Sequence, residues 1–225
     1  MRIKVCGITR REDAELAVDL GAAAIGFVFW SGSPRFIGSD RAKAIVESLP
    51  AFVTPVGVFV DQPREFVEET AAMVGLGAVQ LHGSESVAYC RGIRGPVIRA
   101  IGFAEPSDPM SVQAWPANIT LLLDAHDPDR HGGTGRTVDW TFAARVAAMR
   151  RTILSGGLRA DNVATALERV RPYALDVSSG VESRPGVKDP ERMRAFFQAV
   201  EAFGTVRLPP SPHASADRRS LGGGG

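Results

Sequence analysis

Two ionisable side chains stand at the ends of apolar segments of the chain, and both belong to residue types that transfer protons. Cys6 ends the first apolar run, and Asp124 directly follows the run Leu121–Leu123. A carboxyl group and a thiol that approach one substrate from opposite sides can act as a general acid and a general base. Each also has a structural interpretation, because a free cysteine is usually a small buried hydrophobe and an aspartate often caps a helix or orders a loop. The pair therefore indicates acid–base chemistry only if the fold brings both residues to one site.

Two glycine-rich turns near the end of the chain have the composition of an anion site. The segments Thr152–Gly157 and Ala174–Gly180 each run from apolar residues into serine and glycine, ahead of a helical pattern. Backbone N–H groups at the start of a helix bind phosphate, and glycine lets the phosphate approach because it has no Cβ. A single Gly-Gly pair would be interpreted as a helix-start turn. Two such turns in consecutive units favour a phosphate site.

Three further polar residues are candidates for holding a substrate. Arg35, in the segment Ser33–Phe36, can grip a carboxylate with a bidentate fork, although a loop arginine is by default simply solvated. His82 ends the fourth predicted strand and Asp176 lies inside the eighth. Each of these two either orients a substrate or satisfies buried backbone groups.

Eight short apolar runs alternate with helical patterns over most of the chain. The predicted strands are Arg2–Cys6, Ala24–Phe29, Pro55–Val60, Ala78–Leu81, Val97–Ile101, Ile119–Leu123, Thr152–Leu154 and Ala174–Val177. Nearly continuous apolar runs are typical of parallel strands that are covered on both faces. Eight such strands with eight helices favour the α/β class and a single (β/α)8 TIM barrel over residues 1–204.

A barrel of this kind positions the candidate residues at one face, because the loops after its strands rim the catalytic mouth. Strands 1 and 6 are not neighbours, so Cys6 and Asp124 are expected to face each other across that mouth. The glycine turns follow strands 7 and 8, where such barrels commonly build a phosphate site. Before strand 8, apolar residues recur with helical period over Val163–Val170, and Asp161 is the predicted N-cap.

The composition excludes several classes of protein. The 225 residues carry 26 basic and 25 acidic side chains, and this net charge of +1 argues against a nucleic-acid surface. No apolar run reaches the roughly 18 residues of a membrane helix, and no leader precedes the first strand, so we expect a cytoplasmic protein. The two cysteines lack metal spacing, and His126 and His131 are interpreted as loop residues, so no metal is expected. Residues 205–225 are predicted to be a disordered tail.

Ten short motifs occur in order between Met1 and about Gly204. They are Lys4–Thr9, Gly26–Phe29, Ser33–Phe36, Val56–Val60, Val79–Gly83, Leu122–Asp124, Gly132–Gly135, Asp139–Trp140, Leu154–Leu158 and Asp176–Glu182. In this set and order the chain resembles the phosphoribosylanthranilate isomerases of tryptophan biosynthesis. The cysteine-containing first motif is the most specific, whereas the glycine turns alone fit many phosphate-binding barrels. The tail after Gly204 does not align.

The resemblance implies an Amadori rearrangement of N-(5-phosphoribosyl)anthranilate to 1-(2-carboxyphenylamino)-1-deoxyribulose 5-phosphate. It implies that Asp124 protonates the furanose ring oxygen, that Cys6 removes the C2 proton and that Arg35 holds the anthranilate carboxylate. The phosphate would be held by the backbone of Gly156, Gly157, Ser179 and Gly180. No cofactor is needed, because the substrate nitrogen supplies the electron sink. The implied partner is a small phosphosugar, and we expect a monomer, with a homodimer as the alternative.

These roles place opposite demands on the two ionisable groups. Asp124 must hold a proton near neutral pH, which requires a pKa above its reference of about 3.9. Cys6 must become a thiolate, which requires a pKa below about 8.5 unless the iminium intermediate supplies the driving force. Burial favours the first demand and opposes the second, so positive charge or N–H donors must stabilise the thiolate.

Three other functions are alternatives to this assignment. The phosphoribosyl isomerase of histidine biosynthesis runs the same rearrangement, but it carries an aspartate base where this chain has Cys6 and usually has a second phosphate turn. An aldolase-type barrel needs a Schiff-base lysine at a strand end, and neither Lys4 nor Lys188 ends a predicted strand. The chain could also be a non-catalytic barrel that binds phosphosugars, since fold alone does not decide function.

Overall fold

The computed structural model describes residues 1–102, 109–124 and 140–207, the last three by backbone only. Eight parallel strands close into a barrel in sequence order, with each strand paired to its neighbours and the first paired to the eighth. The strands are β1 (Arg2–Val5), β2 (Ala24–Val28), β3 (Thr54–Phe59), β4 (Ala78–Leu81), β5 (Val97–Gly102), β6 (Thr120–Asp124), β7 (Thr152–Ser155) and β8 (Ala174–Val177). The predicted (β/α)8 fold is confirmed, and each strand end lies within one residue of its predicted position.

The helices lie between the strands and cover the outside of the barrel. They are α1 (Arg11–Asp19), α2 (Ser39–Val46), α3 (Arg64–Val74), α4 (Val87–Gly92), α5 (Trp140–Met149), α6 (Val163–Val170) and α7 (Pro190–Arg207). In the described part of the chain between β5 and β6, the expected α-helix is replaced by a 3₁₀ helix, Pro109–Ala114. Pro116 follows this 3₁₀ helix by two residues, and because proline lacks an N–H donor it opposes continuation of a helix there.

Two features of the segment after β7 and β8 were not predicted correctly. Asp161 is not an N-cap, because α6 begins at Val163 with Asn162 in the cap position. The Asp161 side chain instead pairs with Arg159 at the surface, 3.1 Å from Nε. After β8 the chain forms a 3₁₀ turn and an antiparallel hairpin, β9 (Glu182–Arg184) and β10 (Val187–Lys188), before the last helix begins.

The alternation of side chains along each strand divides the core into two parts. One set faces the helices and forms the main core, and the other set fills the barrel interior with Val56, Ala78, Ile98, Ala100, Leu122, Ile153 and Ala174. Residues two positions further along these strands point to the same side. Gln80, Asp124, Ser155 and Asp176 follow interior residues in this way, so the period of the strands brings polar groups to the carboxyl end of the barrel.

Two predictions fall on residues outside the described ranges. The loop that contains His126 and His131 lies within 125–139, and the predicted tail lies largely within 208–225. The predicted domain boundary at Gly204 falls inside α7, which continues to Arg207. None of the helices that the structure describes combines the length and the apolar character of a bilayer-crossing segment.

Candidate active site

A cavity of about 220 Å³ opens at the carboxyl ends of β6, β7 and β8. Its described lining consists of Arg35, Asp124, Ser155, Gly156, Gly157, Leu158, Asp176, Ser178, Ser179 and Gly180. Seven of the nine predicted site residues are therefore brought together here. The other two, Cys6 and His82, do not line the cavity but connect to it through hydrogen-bonded neighbours.

The two glycine turns form one wall of the cavity and pack against each other. Gly156 and Gly157 have φ values of 91° and 64°, in the left-handed region that favours glycine. Gly180 lies so close to the first turn that a Cβ at this position would stand 1.8 Å from the Leu158 carbonyl oxygen. The second turn enters a 3₁₀ helix, Ser179–Val181, and not an α-helix directly. The resulting wall exposes main chain and serine hydroxyls to the cavity, which suits an anion.

Arg35 reaches the cavity from the loop after β2. Its Nε lies 2.9 Å from Glu182 Oε1, and its Nη2 lies 2.7 Å from Oε2. Among the described residues, none accepts a hydrogen bond from Nη1. Burial would lower the pKa of Arg35, but the hydrogen bonds to Glu182 raise it, so the guanidinium remains charged. Arg35 is thus a fixed cation at the rim and not a solvated loop residue.

Cys6 follows β1 and is buried, with 8% of its surface exposed. Gly26 on the neighbouring strand makes room for it, because a Cβ there would lie 2.9 Å from the Cys6 sulfur and 3.0 Å from Lys4 Cε. Burial raises the pKa of Cys6, and although Lys4 and Lys188 lower it, the pKa stays above its ordinary value. The surroundings of Cys6 therefore favour the neutral thiol over the thiolate.

Lys4 lies inside the barrel beside Cys6 and links it to the cavity. Its Nζ donates to Asp176 Oδ1 and to Gln80 Oε1, both at 2.9 Å. Asp176 in turn accepts a hydrogen bond of 3.4 Å from Ser155 Oγ. Burial would lower the pKa of Lys4, but the negative charge of Asp176 and the proximity of Cys6 raise it above its ordinary value. A buried, charged ammonium therefore stands between the thiol and the cavity wall.

Asp124 is tied to the same interior group through His82. The Nε2 atom of His82 lies 3.1 Å from Asp124 Oδ2, and its Nδ1 atom lies 3.0 Å from Gln80 Nε2. Because Gln80 also contacts Lys4, a continuous row of polar contacts runs from the neighbour of Cys6 to Asp124. The two predicted proton-transfer residues thus belong to one connected arrangement at one end of the barrel.

Lys188 binds the main chain at Cys6 and Ser178. Its Nζ donates to the carbonyl oxygens of Cys6, at 2.6 Å, and Ser178, at 3.2 Å, and to Glu182 Oε1 at 2.9 Å. The ammonium group is fully buried. Burial lowers the pKa of Lys188 more strongly than Glu182 raises it. With all of these contacts made, Lys188 is a structural clamp between the hairpin and the strand ends.

Four residues of this arrangement were not predicted as site residues from the sequence: Lys4, Gln80, Glu182 and Lys188. A signal was present for the first two. Lys4 interrupts an apolar strand two positions before Cys6, and Gln80 does the same two positions before His82. Residues that share a strand face at this spacing point to the same side. For Glu182 and Lys188 the hairpin itself would have had to be predicted. Within the described residues no cluster of His, Cys, Asp or Glu has the arrangement of a metal site.

Comparison with known proteins identifies a single family. Residues 3–199 match the family described as N-(5'-phosphoribosyl)anthranilate isomerase. The enzyme of that name from Pelobacter propionicus is 46% identical over 201 residues, which cover 89% of this chain and 96% of the relative.

Solved structures agree with this match. The phosphoribosyl anthranilate isomerase of Thermotoga maritima has a TM-score of 0.83 at 42% identity, with 90% of this chain and 99% of that chain covered. A structure of such an isomerase in complex with reduced 1-(o-carboxyphenylamino)-1-deoxyribulose 5-phosphate has a TM-score of 0.78 at 40% identity, with the same coverage. A third, at 38% identity and a TM-score of 0.77, covers 89% of this chain and 98% of that one. It is described as monomers generated from the dimeric Thermotoga maritima enzyme.

Proposed function

The chain belongs to the N-(5'-phosphoribosyl)anthranilate isomerase family, and we propose that Cys6 and Asp124 perform the acid–base steps of its reaction. The protein is an isomerase of tryptophan biosynthesis. It converts N-(5'-phosphoribosyl)anthranilate into 1-(2-carboxyphenylamino)-1-deoxyribulose 5-phosphate. The observation that carries the assignment of residues is the connected row of contacts from the Lys4 ammonium beside Cys6 to Asp124, next to the cavity wall of glycine turns.

The substrate is placed by its two charged ends. The phosphate lies against the backbone of Gly156, Gly157, Ser179 and Gly180, where the turns leave room for anionic oxygens. The anthranilate carboxylate lies at Arg35, whose Nη1 edge is not used by any described residue. Between these anchors the ribose lies over the mouth, with Asp124 at the cavity surface.

The first chemical step opens the ring. Asp124 transfers a proton to the furanose oxygen while the nitrogen lone pair forms a C=N bond to C1, and the bond between C1 and the ring oxygen breaks. The product of this step is a positively charged iminium and an Asp124 carboxylate. A general acid held in place typically contributes about 10²–10⁴-fold to such a step.

The second step moves the proton from C2. Cys6, as the thiolate, takes the C2 proton, and the electron pair left behind forms the C1–C2 double bond and neutralises the iminium. The resulting enolamine gains a proton at C1 and loses one from the C2 hydroxyl, which gives the ketone. Because burial keeps the Cys6 pKa high, the positive iminium next to it supplies the attraction that favours the thiolate, and the thiol proton leaves to solvent.

His82 and Asp176 support the two reacting groups without being assigned a proton transfer. His82 touches Asp124, and Asp176 holds the Lys4 ammonium beside Cys6. We further propose that the catalytic barrel extends through α7, that the residues after α7 form a tail, and that the enzyme works in the cytoplasm as a monomer. Light scattering on the purified protein distinguishes the monomer from a homodimer, the state described for the Thermotoga maritima relative.

Turnover of N-(5'-phosphoribosyl)anthranilate by purified variants tests the assignment. Cys6→Ser and Asp124→Asn are expected to lower kcat by about 10²–10⁴-fold each while a product analogue still binds. Cys90→Ser is the matched control, because Cys90 is a buried thiol on α4 that faces no part of the cavity. Activity near the parent level in either of the first two variants would remove that residue from the mechanism. The aminoaldose substrate of histidine biosynthesis serves as the comparison substrate.

A further inference from the structure

In the row of contacts from Lys4 to Asp124, the chemistry of each group determines which atom donates and which atom accepts. An ammonium group has only donors, so the Gln80 atom that faces Lys4 Nζ at 2.9 Å must be the amide oxygen. The Gln80 amide nitrogen then faces His82. Lys4 is 4% exposed and Gln80 is 1% exposed, so bulk solvent does not reach either group. The buried cation therefore fixes which way the Gln80 amide points.

The orientation of Gln80 determines the tautomer of His82. The amide nitrogen of Gln80 donates, so His82 Nδ1, 3.0 Å away, must accept and cannot carry a proton. In the neutral imidazole the proton is then on Nε2. That N–H points at Asp124 Oδ2 at 3.1 Å and donates to it. Protonation of Nδ1 would place two donors face to face, and rotation of the amide would place its NH₂ group against the Lys4 ammonium.

We propose that Lys4 and Gln80 are positioning residues that hold His82 in its Nε2–H tautomer, so that His82 donates a hydrogen bond to Asp124 Oδ2. This inference rests on the proposed role of Asp124 as the general acid. His82 occupies Oδ2 in both protonation states of the carboxyl group.

The same hydrogen bond changes strength during the reaction in a useful direction. Before proton transfer, Nε2–H donates to a neutral carboxylic acid. After transfer it donates to a carboxylate, and hydrogen bonds to an ionised acceptor are roughly twice as strong as neutral ones. The contact therefore favours release of the proton to the ring oxygen. The opposite tautomer would leave an acceptor nitrogen facing Asp124 and would hold the proton back.

Nitrogen NMR of the intact protein reads the tautomer directly and without turnover. Protein labelled with ¹⁵N-histidine contains four histidines, and the His82 signals are those that disappear in His82→Gln. At a pH where His82 is neutral, Nε2 is expected at the shift of a protonated ring nitrogen and Nδ1 at that of an unprotonated one. The reverse pattern, or averaged shifts from a mixture of tautomers, would overturn the proposal.

Gln80→Glu tests whether Gln80 sets this tautomer. A glutamate can only accept at this position, so the proton is expected to appear on His82 Nδ1, and kcat is expected to fall by at least about tenfold with KM within about threefold. Gln113→Glu is the matched control, since Gln113 is an exposed residue of the 3₁₀ helix before β6 and the charge change is the same. A Gln80→Glu protein that keeps the parent shifts or the parent kcat would overturn the role of Gln80. If Gln80→Glu does not fold, Gln80→Met takes its place, with loss of the single-tautomer pattern expected.

Failure of this inference is separable from failure of the proposed mechanism. An Asp124→Asn protein that turns over normally removes the general-acid role, whatever the tautomer of His82. A parent protein with Nδ1–H removes the positioning role, whatever the activity of Asp124→Asn. The two experiments therefore have independent readouts.

Discussion

Arg35 and Glu182 face each other as two parallel forks, with Nε 2.9 Å from Oε1 and Nη2 2.7 Å from Oε2. The same Oε1 accepts a hydrogen bond from the Lys188 ammonium, which also donates to the Cys6 carbonyl oxygen. One buried carboxylate on the β9–β10 hairpin thus orients both the proposed carboxylate-binding cation and the main chain that carries the proposed base. The hairpin is a support for the site even though it lies outside the barrel sheet.

Glu182→Gln is expected to raise KM more than it lowers kcat. An amide cannot accept both arms of the Arg35 fork as a carboxylate does, and hydrogen bonds to charged groups are worth about 1.5–3 kcal/mol, or about 10–100-fold in binding. Steady-state kinetics of the isomerase measure the effect. Glu47→Gln is the control, because Glu47, at the C-cap of α2, forms an exposed ion pair with Lys43. A KM unchanged in Glu182→Gln would contradict the orienting role.

Glu182 also predicts how stability responds to acid. Burial would raise the pKa of this carboxyl, but Arg35 and Lys188 outweigh it and lower the pKa below its ordinary value of 4.5. A group with a lowered folded-state pKa stabilises the fold above its unfolded pKa, and that contribution is lost as the pH falls through the folded value. Urea unfolding at several pH values is expected to show a decline in stability of the parent below about pH 4.5. A decline equally steep in Glu182→Gln would show that other groups cause it.

The barrel was predictable because its elements depend on local pattern alone. Continuous apolar runs predicted the strands, and glycine turns after β7 and β8 predicted where the cavity wall lies. Two predictions were wrong where local alternatives compete. A 3₁₀ helix, Pro109–Ala114, stands where an α-helix was expected, and Asn162 is the N-cap instead of Asp161. The Asp161 side chain pairs with Arg159 at the surface, and the residue pattern that predicts N-caps does not take such a partner into account.

For a related reason, only part of the candidate site was predicted from the sequence. Cys6 and Asp124 stand at strand ends, where their residue type is informative by itself. Lys4 contacts Gln80 and Asp176, which lie 76 and 172 positions away in the chain. Lys188 contacts Cys6, which lies 182 positions away, so these roles follow only from the closed barrel. Burial of a charged residue in an apolar strand was the available signal, and it indicates that a partner exists but not which one.

The state of the Cys6 thiol makes a prediction about pH. Burial holds its pKa above the ordinary 9.0, despite the nearby Lys4 and Lys188 cations. In a Cys90→Ala background the thiolate absorbance of the empty enzyme is expected to appear only above that value, and Cys6→Ser in the same background supplies the baseline. A thiolate already formed near neutral pH would contradict this environment and would mean that the thiolate needs no help from the iminium.

The contact between the two glycine turns yields a prediction that separates binding from folding. A methyl group on Gly180 would stand 1.8 Å from the Leu158 carbonyl oxygen, which is backbone and cannot rotate away. Gly180→Ala must therefore push the turns apart, at a cost of about 1–3 kcal/mol in unfolding free energy, and distort the wall proposed to hold the phosphate. Inorganic phosphate is expected to inhibit the parent competitively and to inhibit Gly180→Ala much more weakly. Gly204→Ala is the control, because it lies on α7 with no atom within 4 Å of the added methyl, and alanine in a helix is expected to stabilise by about 0.5–1 kcal/mol. Equal inhibition of parent and Gly180→Ala by phosphate would place the anion elsewhere than on this wall.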